Sequence, residues 1–176
     1  MTALDVEIAV MKYLNPRQNI IVPNVSWGLH NEAYKALHEC DLLSLTGSNW
    51  ATEIEIKVSK ADLLKDAEKR HGHFHNLIRR FYFAVPETMK DFALDNIPVN
   101  AGLIVISPHE VNKFGRDHYG GYVVIGTTSI LRVTLIRECK INTNAIKWTD
   151  EQKFQLARLG TMRILGLKEK INKLKQ

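Results

Sequence analysis

The chain has 176 residues, 45% apolar and 24% charged, with a formal net charge of +5 and an isoelectric point near 9.2. That length suits one domain with a real core, and the composition excludes a disordered or collagen-like chain. No stretch reaches the roughly 20 apolar residues of a membrane helix, and MTALDVEIAV lacks the basic-then-apolar order of a signal peptide, so a cytoplasmic chain with no membrane partner is expected.

Thr2 to Leu14 reads as a helix, with Thr2 and Asp5 at capping-box spacing and Asn15-Pro16 ending it. A strand near Ile20 to Val22 follows, then an irregular stretch through Trp27-Gly28 and a short helix from His30 to Leu37. Two strands, Glu39 to Leu45 and Ala51 to Val58, form a hairpin around the turn residues Thr46-Gly47-Ser48-Asn49. Ser59 and Asp62 have cap spacing for a helix that frays at Gly72. Phe81 to Val85, closed by Pro86, and Gly102 to Ile106, closed by Ser107-Pro108, read as buried strands, with a short helix over 87–95 between them. Residues 109–120 read as an irregular loop. Two further strands are expected near Tyr122–Ile125 and Leu131–Ile136, then a helix from Thr149. Ala157, Gly160, Ile164, Leu167, Ile171 and Leu174 recur at three and four residues, a seam that packs on its own domain or, in a homodimer, on a second copy. The order implies an α/β domain with a mixed sheet flanked by helices.

Cys40 and Cys139 are the two cysteines, and neither belongs to a CxxC pair. A zinc ribbon or disulfide framework is therefore not expected. His71 and His75 have helical zinc spacing, but Gly72 between them argues against a helix there. The three tryptophans, Trp27, Trp50 and Trp148, are far apart and read as packing residues. Basic residues gather in one stretch, with Lys57, Lys60, Lys65, Lys69, Arg70, Arg79 and Arg80 beside His71, His73 and His75, and again at Lys168, Lys170, Lys173 and Lys175. Such clusters are solvated faces or contacts to a polyanion.

The strand Glu53-Ile54-Glu55-Ile56-Lys57-Val58 carries the chemistry. Alternation sends Ile54, Ile56 and Val58 to one side and Glu53, Glu55 and Lys57 to the other. That second side is either a solvated, salt-bridged face or an acidic site. Asp41 lies among Cys40, Leu42, Leu43 and Leu45, where an acid needs a partner or a metal, and hairpin pairing brings it beside Glu55. On the first helix, counting 100° per residue from Leu4 puts Glu7 at about 300°, between Leu14 at about 280° and Met11 at about 340°. An inward carboxylate there meets a metal or a buried arginine, or reaches out to water.

Asp41 followed by Glu55-Ile56-Lys57 resembles the PD-(D/E)xK nuclease superfamily. The wider segments, Glu39 to Leu45, Glu53 to Asp62, Phe81 to Pro86 and Ala101 to Ile106, resemble its MmcB-like DNA-repair branch over about residues 1–110. Cys40 stands where the motif's opening proline stands in many members. The resemblance implies a restriction-endonuclease-like α-β-β-β-α-β core in a single domain, with residues 111–176 as an added strand and helix extension. It implies Mg2+ or Mn2+ held by Asp41, Glu55 and the Ile56 carbonyl, with Glu7 as the first-helix acid and Lys57 as the catalytic lysine. Glu53 and Glu39 are the alternates. Lys60, Lys65, Lys69, Arg70, His71 and His73 are the expected nucleic-acid contacts. The implied activity is metal-dependent endonucleolytic hydrolysis of DNA phosphodiester bonds, in repair or mobile-element biology. A non-catalytic nucleic-acid-binding protein on the same fold is the alternative.

Overall fold

The computed structural model describes residues 1–25, 39–67 and 75–175. The elements run α1 (Ala3–Tyr13), β1 (Ile20–Val25), β2 (Cys40–Leu45), β3 (Ala51–Ile56), α2 (Lys60–Ala67), β4 (Arg80–Pro86), a short 3-10 turn leading into α3 (Lys90–Asn96), β5 (Gly102–Arg116), β6 (Tyr122–Arg137) and α4 (Asp150–Lys173). The six strands form one mixed sheet in sequence order. The β1–β2, β2–β3 and β5–β6 pairs are antiparallel, and β3–β4 and β4–β5 are parallel. This is the expected α/β class, with α-β-β-β-α-β in order and further strands and a helix after it. Among the described residues no helix is long and apolar enough to cross a membrane.

Local chemistry sets the boundaries. Thr2 and Asp5 form the reciprocal capping box at α1, and Thr149 and Gln152 form another at α4. Ser59 Oγ accepts the Asp62 N–H at 3.2 Å. Asn49 closes the β2–β3 turn at φ 66°, a left-handed conformation that asparagine tolerates better than most residues. The helix expected over His30–Leu37, the stretch at Trp27-Gly28 and the fraying point at Gly72 lie outside the described residues.

Two layers cover the sheet. Val6, Ala9 and Val10 of α1 pack on Leu42, Ile54, Ile56, Tyr82, Ala84, Ile104 and Ile106. A second cluster joins Leu63 of α2 and Ala93 of α3 to Phe81, Phe83, Leu103 and Val105, and a third sets Leu156 of α4 and Trp148 against Val22, Leu43 and Leu45. The Trp148 indole N–H donates to the Leu77 carbonyl at 2.8 Å, so its polar edge is satisfied inside the core. Gly102 lies against the Tyr82 ring and the Arg137 carbonyl. Gly102→Ala should therefore destabilise the chain by about 1–3 kcal/mol in urea unfolding, because the new Cβ collides with a buried ring.

Three expectations are corrected. The strand expected to close at Ser107-Pro108 runs on to Arg116, and residues 109–116, expected as a loop, pair with β6. Pro108 is tolerated because β4 pairs with β5 only as far as Ile106, so beyond that point a proline removes no donor from a central ladder. The two late strands are one, Tyr122–Arg137, because Gly126-Thr127-Thr128-Ser129 bridges them as a strand. The α4 seam does not pack as a unit on its own domain. The buried contacts come from Leu156, with Leu159 beside it, while Ile164, Leu167, Ile171 and Leu174 are exposed. The periodicity is real, but the helix outruns β1, the strand it packs on.

Candidate functional site

The β2–β3 ladder runs from Leu45 and Ala51 to Leu42 and Ile54 and then stops. Beyond it β2 stays with β1 as far as Cys40, and β3 stays with β4 as far as Ile56. Asp41 therefore stands at a fork between two diverging strands. A fork orphans backbone donors, and here the Asp41 carboxylate fills in, with Oδ2 accepting the Ile56 N–H at 2.8 Å.

The same carboxylate oxygen lies 3.6 Å from Lys57 Nζ, and Lys57 Nζ donates to Glu55 Oε2 at 2.7 Å. The Asp41 side chain is 40% exposed, whereas those of Lys57 and Glu55 are only 6% and 3% exposed. Burial, then the charge of Asp41, pushes Glu55 up to about 7, although Lys57 pulls the other way. Glu53 is buried on the same strand, and Cys40 is buried nearby. Burial, then the charges of Glu53 and Glu55, pushes the Cys40 thiol up, so it stays protonated.

A pocket of about 200 Å³ opens on the α1 side, lined by Ala3, Leu4, Glu7, Asn24, Asp41 and Ile56. Burial, then the charge of Asp41, raises the pKa of half-buried Glu7. The first-helix acid and the strand acid thus converge. Asn24, which the sequence reading missed, holds φ at 53° in β1, between the paired residues Pro23 and Val25. Arg163 of α4 donates to the Asn24 carbonyl at 2.7 Å, which brings a basic helix to the rim. The missed signal is Pro23-Asn24 inside a strand, since proline and a left-handed asparagine mark an irregular edge.

The expected residues separate into groups. Asp41, Glu7 and Ile56 share the pocket. Glu55 and Lys57 adjoin Asp41 but do not line it, and the face expected to be solvated or open is buried at Glu53, Glu55 and Lys57. The cause is that β3 is central, with β2 on one side and β4 on the other, and helices cover both of its faces. Glu39 is exposed and precedes β2. Lys60 is turned onto the Phe92 ring, 4.9 Å from its centroid, and Lys65 lies in the last turn of α2. Lys69, Arg70, His71 and His73 lie outside the described residues. His75 Nδ1 accepts the Leu77 N–H at 3.1 Å.

Among the described residues no three His, Cys, Asp or Glu side chains gather closely enough to hold an ion. The two acids that share the pocket are nonetheless oxygen donors of the kind a hard divalent cation takes, and Mg2+ needs only one or two carboxylates alongside its waters. A larger cavity of about 560 Å³ lies beyond the carboxyl ends of β3 and β4, beside the middle of β5 at Ile106 and Pro108. Its lining carries the carboxylates of Asp5 and Glu87 against the single terminal ammonium at Met1, with no lysine or arginine to attract a phosphate backbone.

The fold and this fork define an α/β chain with an acidic pocket at a strand divergence. The chain is similar in fold to a protein of unknown function from Silicibacter pomeroyi, with a TM-score of 0.58 and 15% identity over 99% of this chain and 94% of that one. No protein-family model matches the chain, and neither does any curated protein.

Proposed function

We propose that the chain is a divalent-metal-dependent DNA endonuclease centred on Asp41. The carrying observation is the fork, where one carboxylate accepts the Ile56 N–H, lies 3.6 Å from Lys57 and shares a pocket with Glu7. Asp41, Glu7 and the Ile56 carbonyl would hold Mg2+ or Mn2+, which when bound polarises the scissile phosphate and activates water. The Ile56 N–H and Lys57 orient the Asp41 carboxylate. Glu55 holds the Lys57 ammonium in place and is a positioning residue in this arrangement. Arg163 and the α4 lysines beyond it supply cations for the phosphate backbone. The chain carries +5 overall, so the acidic pocket sits in a basic molecule.

A second reading, a DNA-binding protein without turnover, is favoured by one observation: Lys57 is buried and engaged with Glu55. Incubation with linear, nicked, branched and single-stranded DNA in Mg2+, Mn2+ or EDTA separates the two. Metal-dependent cleavage lost in Asp41→Asn supports the nuclease. Salt-sensitive binding with no turnover in any metal supports the second reading.

Metal binding has its own readout. Mg2+ is expected to raise the melting temperature of the wild-type chain, and by more at pH 8 than at pH 5. A ligand carboxylate must be ionised, and the raised pKa of Glu7 leaves it more protonated at the lower pH. Asp41→Asn should lose the shift at both pH values. An equal shift in that variant would remove Asp41 from the site.

A further inference from the structure

Beyond Ile106, β4 no longer accompanies β5, and the β5–β6 pair continues as a two-stranded arm through Arg116 and Tyr122. A two-stranded ribbon is marginal by itself. This one is exposed, and its apolar side chains gather at the tip and along β6. Phe114, Tyr119 and Tyr122 are 60%, 93% and 76% exposed, and Val123, Val124, Ile125, Ile130 and Leu131 are exposed with them.

The outer edge of β6 is the second anomaly. β6 is the terminal strand of the sheet, 16 residues long, and among the described residues no strand pairs with its outer edge. Native edges of that length are usually blunted by lysine, proline or inward charge. From Tyr122 to Leu131 (YVVIGTTSIL) β6 has neither a charged residue nor a proline, and the bulge at Ile125-Gly126, opposite Lys113 and Phe114, is the one such device it carries.

We infer that the arm is the interface of a homodimer, in which the β6 edge pairs antiparallel with β6 of a second copy. A twofold axis across a strand generates that antiparallel mate, and the contact is self-complementary. Charge selects this occupant over nucleic acid. Residues 107–131 carry Lys113 and Arg116 against Glu110 and Asp117, a formal balance of zero in a chain of +5, so two arms meet without repulsion. By contrast, the exposed end of α4 carries Arg163, Lys168, Lys170 and Lys173 against Glu169 and would repel its copy. The exposed apolar side chains of β6 alternate between its two faces, so edge pairing sets each against its mate across the axis and extends both apolar faces into a four-stranded sheet. This inference is independent of the nuclease reading.

The test is the mass of the native chain by light scattering across micromolar concentrations, beside a Val124→Lys/Ile125→Lys variant whose fold is checked by circular dichroism. The expected result is a two-chain mass for the wild type, halved in the variant, because like charges facing across paired strands repel. Amide exchange in the wild type guards against a variant that fails to fold. Exchange over residues 122–131 should slow by about tenfold or more as the dimer fills. A single-chain mass for the wild type overturns the proposal, including the case where only added duplex DNA protects the arm. A two-chain mass unaffected by the variant, with no concentration-dependent protection of β6, overturns it as well.

Discussion

Asp41→Asn is expected to lower metal-dependent DNA cleavage by at least about 100-fold, the usual effect of removing one strong electrostatic contact to the reacting centre, while leaving the melting temperature nearly unchanged. The asparagine carbonyl still accepts the Ile56 N–H that Oδ2 accepts at 2.8 Å, so the fork stays closed by the same hydrogen bond. What disappears is the charge opposite Glu7 and Lys57. Relief of the Asp41 charge should also lower the pKa of Glu7, since that charge is one of the two causes raising it. A variant that cleaves at the wild-type rate would sink the assignment of the site. A variant that unfolds would show that the Asp41 charge, and not only its hydrogen bond, holds the fork.

The contrast with Lys57 is instructive. From the resemblance to the nuclease superfamily, which makes Lys57 the catalytic lysine, Lys57→Ala is expected to abolish cleavage and largely spare the fold. In the structure Lys57 is buried and bonded to a buried acid, and breaking such a pair destabilises proteins by roughly 3–5 kcal/mol. Loss of activity in that variant would therefore not separate chemistry from folding, which is why Asp41 is the better probe.

The same contrast marks what was legible in the sequence. Helix α1 followed from a 3.6-residue period and a capping box and holds, although its buried face is Val6, Ala9 and Val10 and Glu7 stands half-buried on the flank of that face. The pairing of β2 with β3 followed from turn residues. Burial of the Glu53, Glu55 and Lys57 face did not, because period-two alternation distinguishes two faces without saying whether the polar one is covered. The fork at Asp41 was also hidden. Where a ladder stops depends on how neighbouring strands twist and diverge, a tertiary property without a residue signature here beyond Pro23-Asn24. The β5–β6 arm was misread for a related reason. His109 to Gly120 is polar and irregular by composition, and strand structure there comes from pairing across the hairpin, with each residue of β5 opposite one of β6. Local propensity yields to such pairing.

Glu55→Gln should stabilise the chain at alkaline pH and leave it unchanged in acid. Folding raises the Glu55 pKa from 4.5 to about 7, so the folded state holds the proton more tightly than the unfolded state. The favourable contribution is present in full below pH 4.5 and is lost as pH rises through about 7. Above that the ionised, buried carboxylate penalises folding by about 3 kcal/mol, at 1.36 kcal/mol for each tenfold change in proton affinity. Glutamine mimics the protonated acid and can still accept the Lys57 Nζ hydrogen bond through its carbonyl oxygen, while Asp41, 3.6 Å from Lys57 Nζ, still balances the ammonium, so the variant avoids the penalty. Glu7 also has a raised pKa and contributes to the wild-type slope in the same direction. The informative quantity is therefore the difference between wild type and variant, measured by urea unfolding at pH 4.5 and pH 8.5. That difference should be near zero at the lower pH and favour the variant by a few kcal/mol at the higher. A variant less stable than wild type at pH 8.5 would mean that the Lys57 pair outweighs the burial of the acid. If the expected gain in stability comes with a loss of DNA cleavage, Glu55 is an acid retained for function at the expense of the fold.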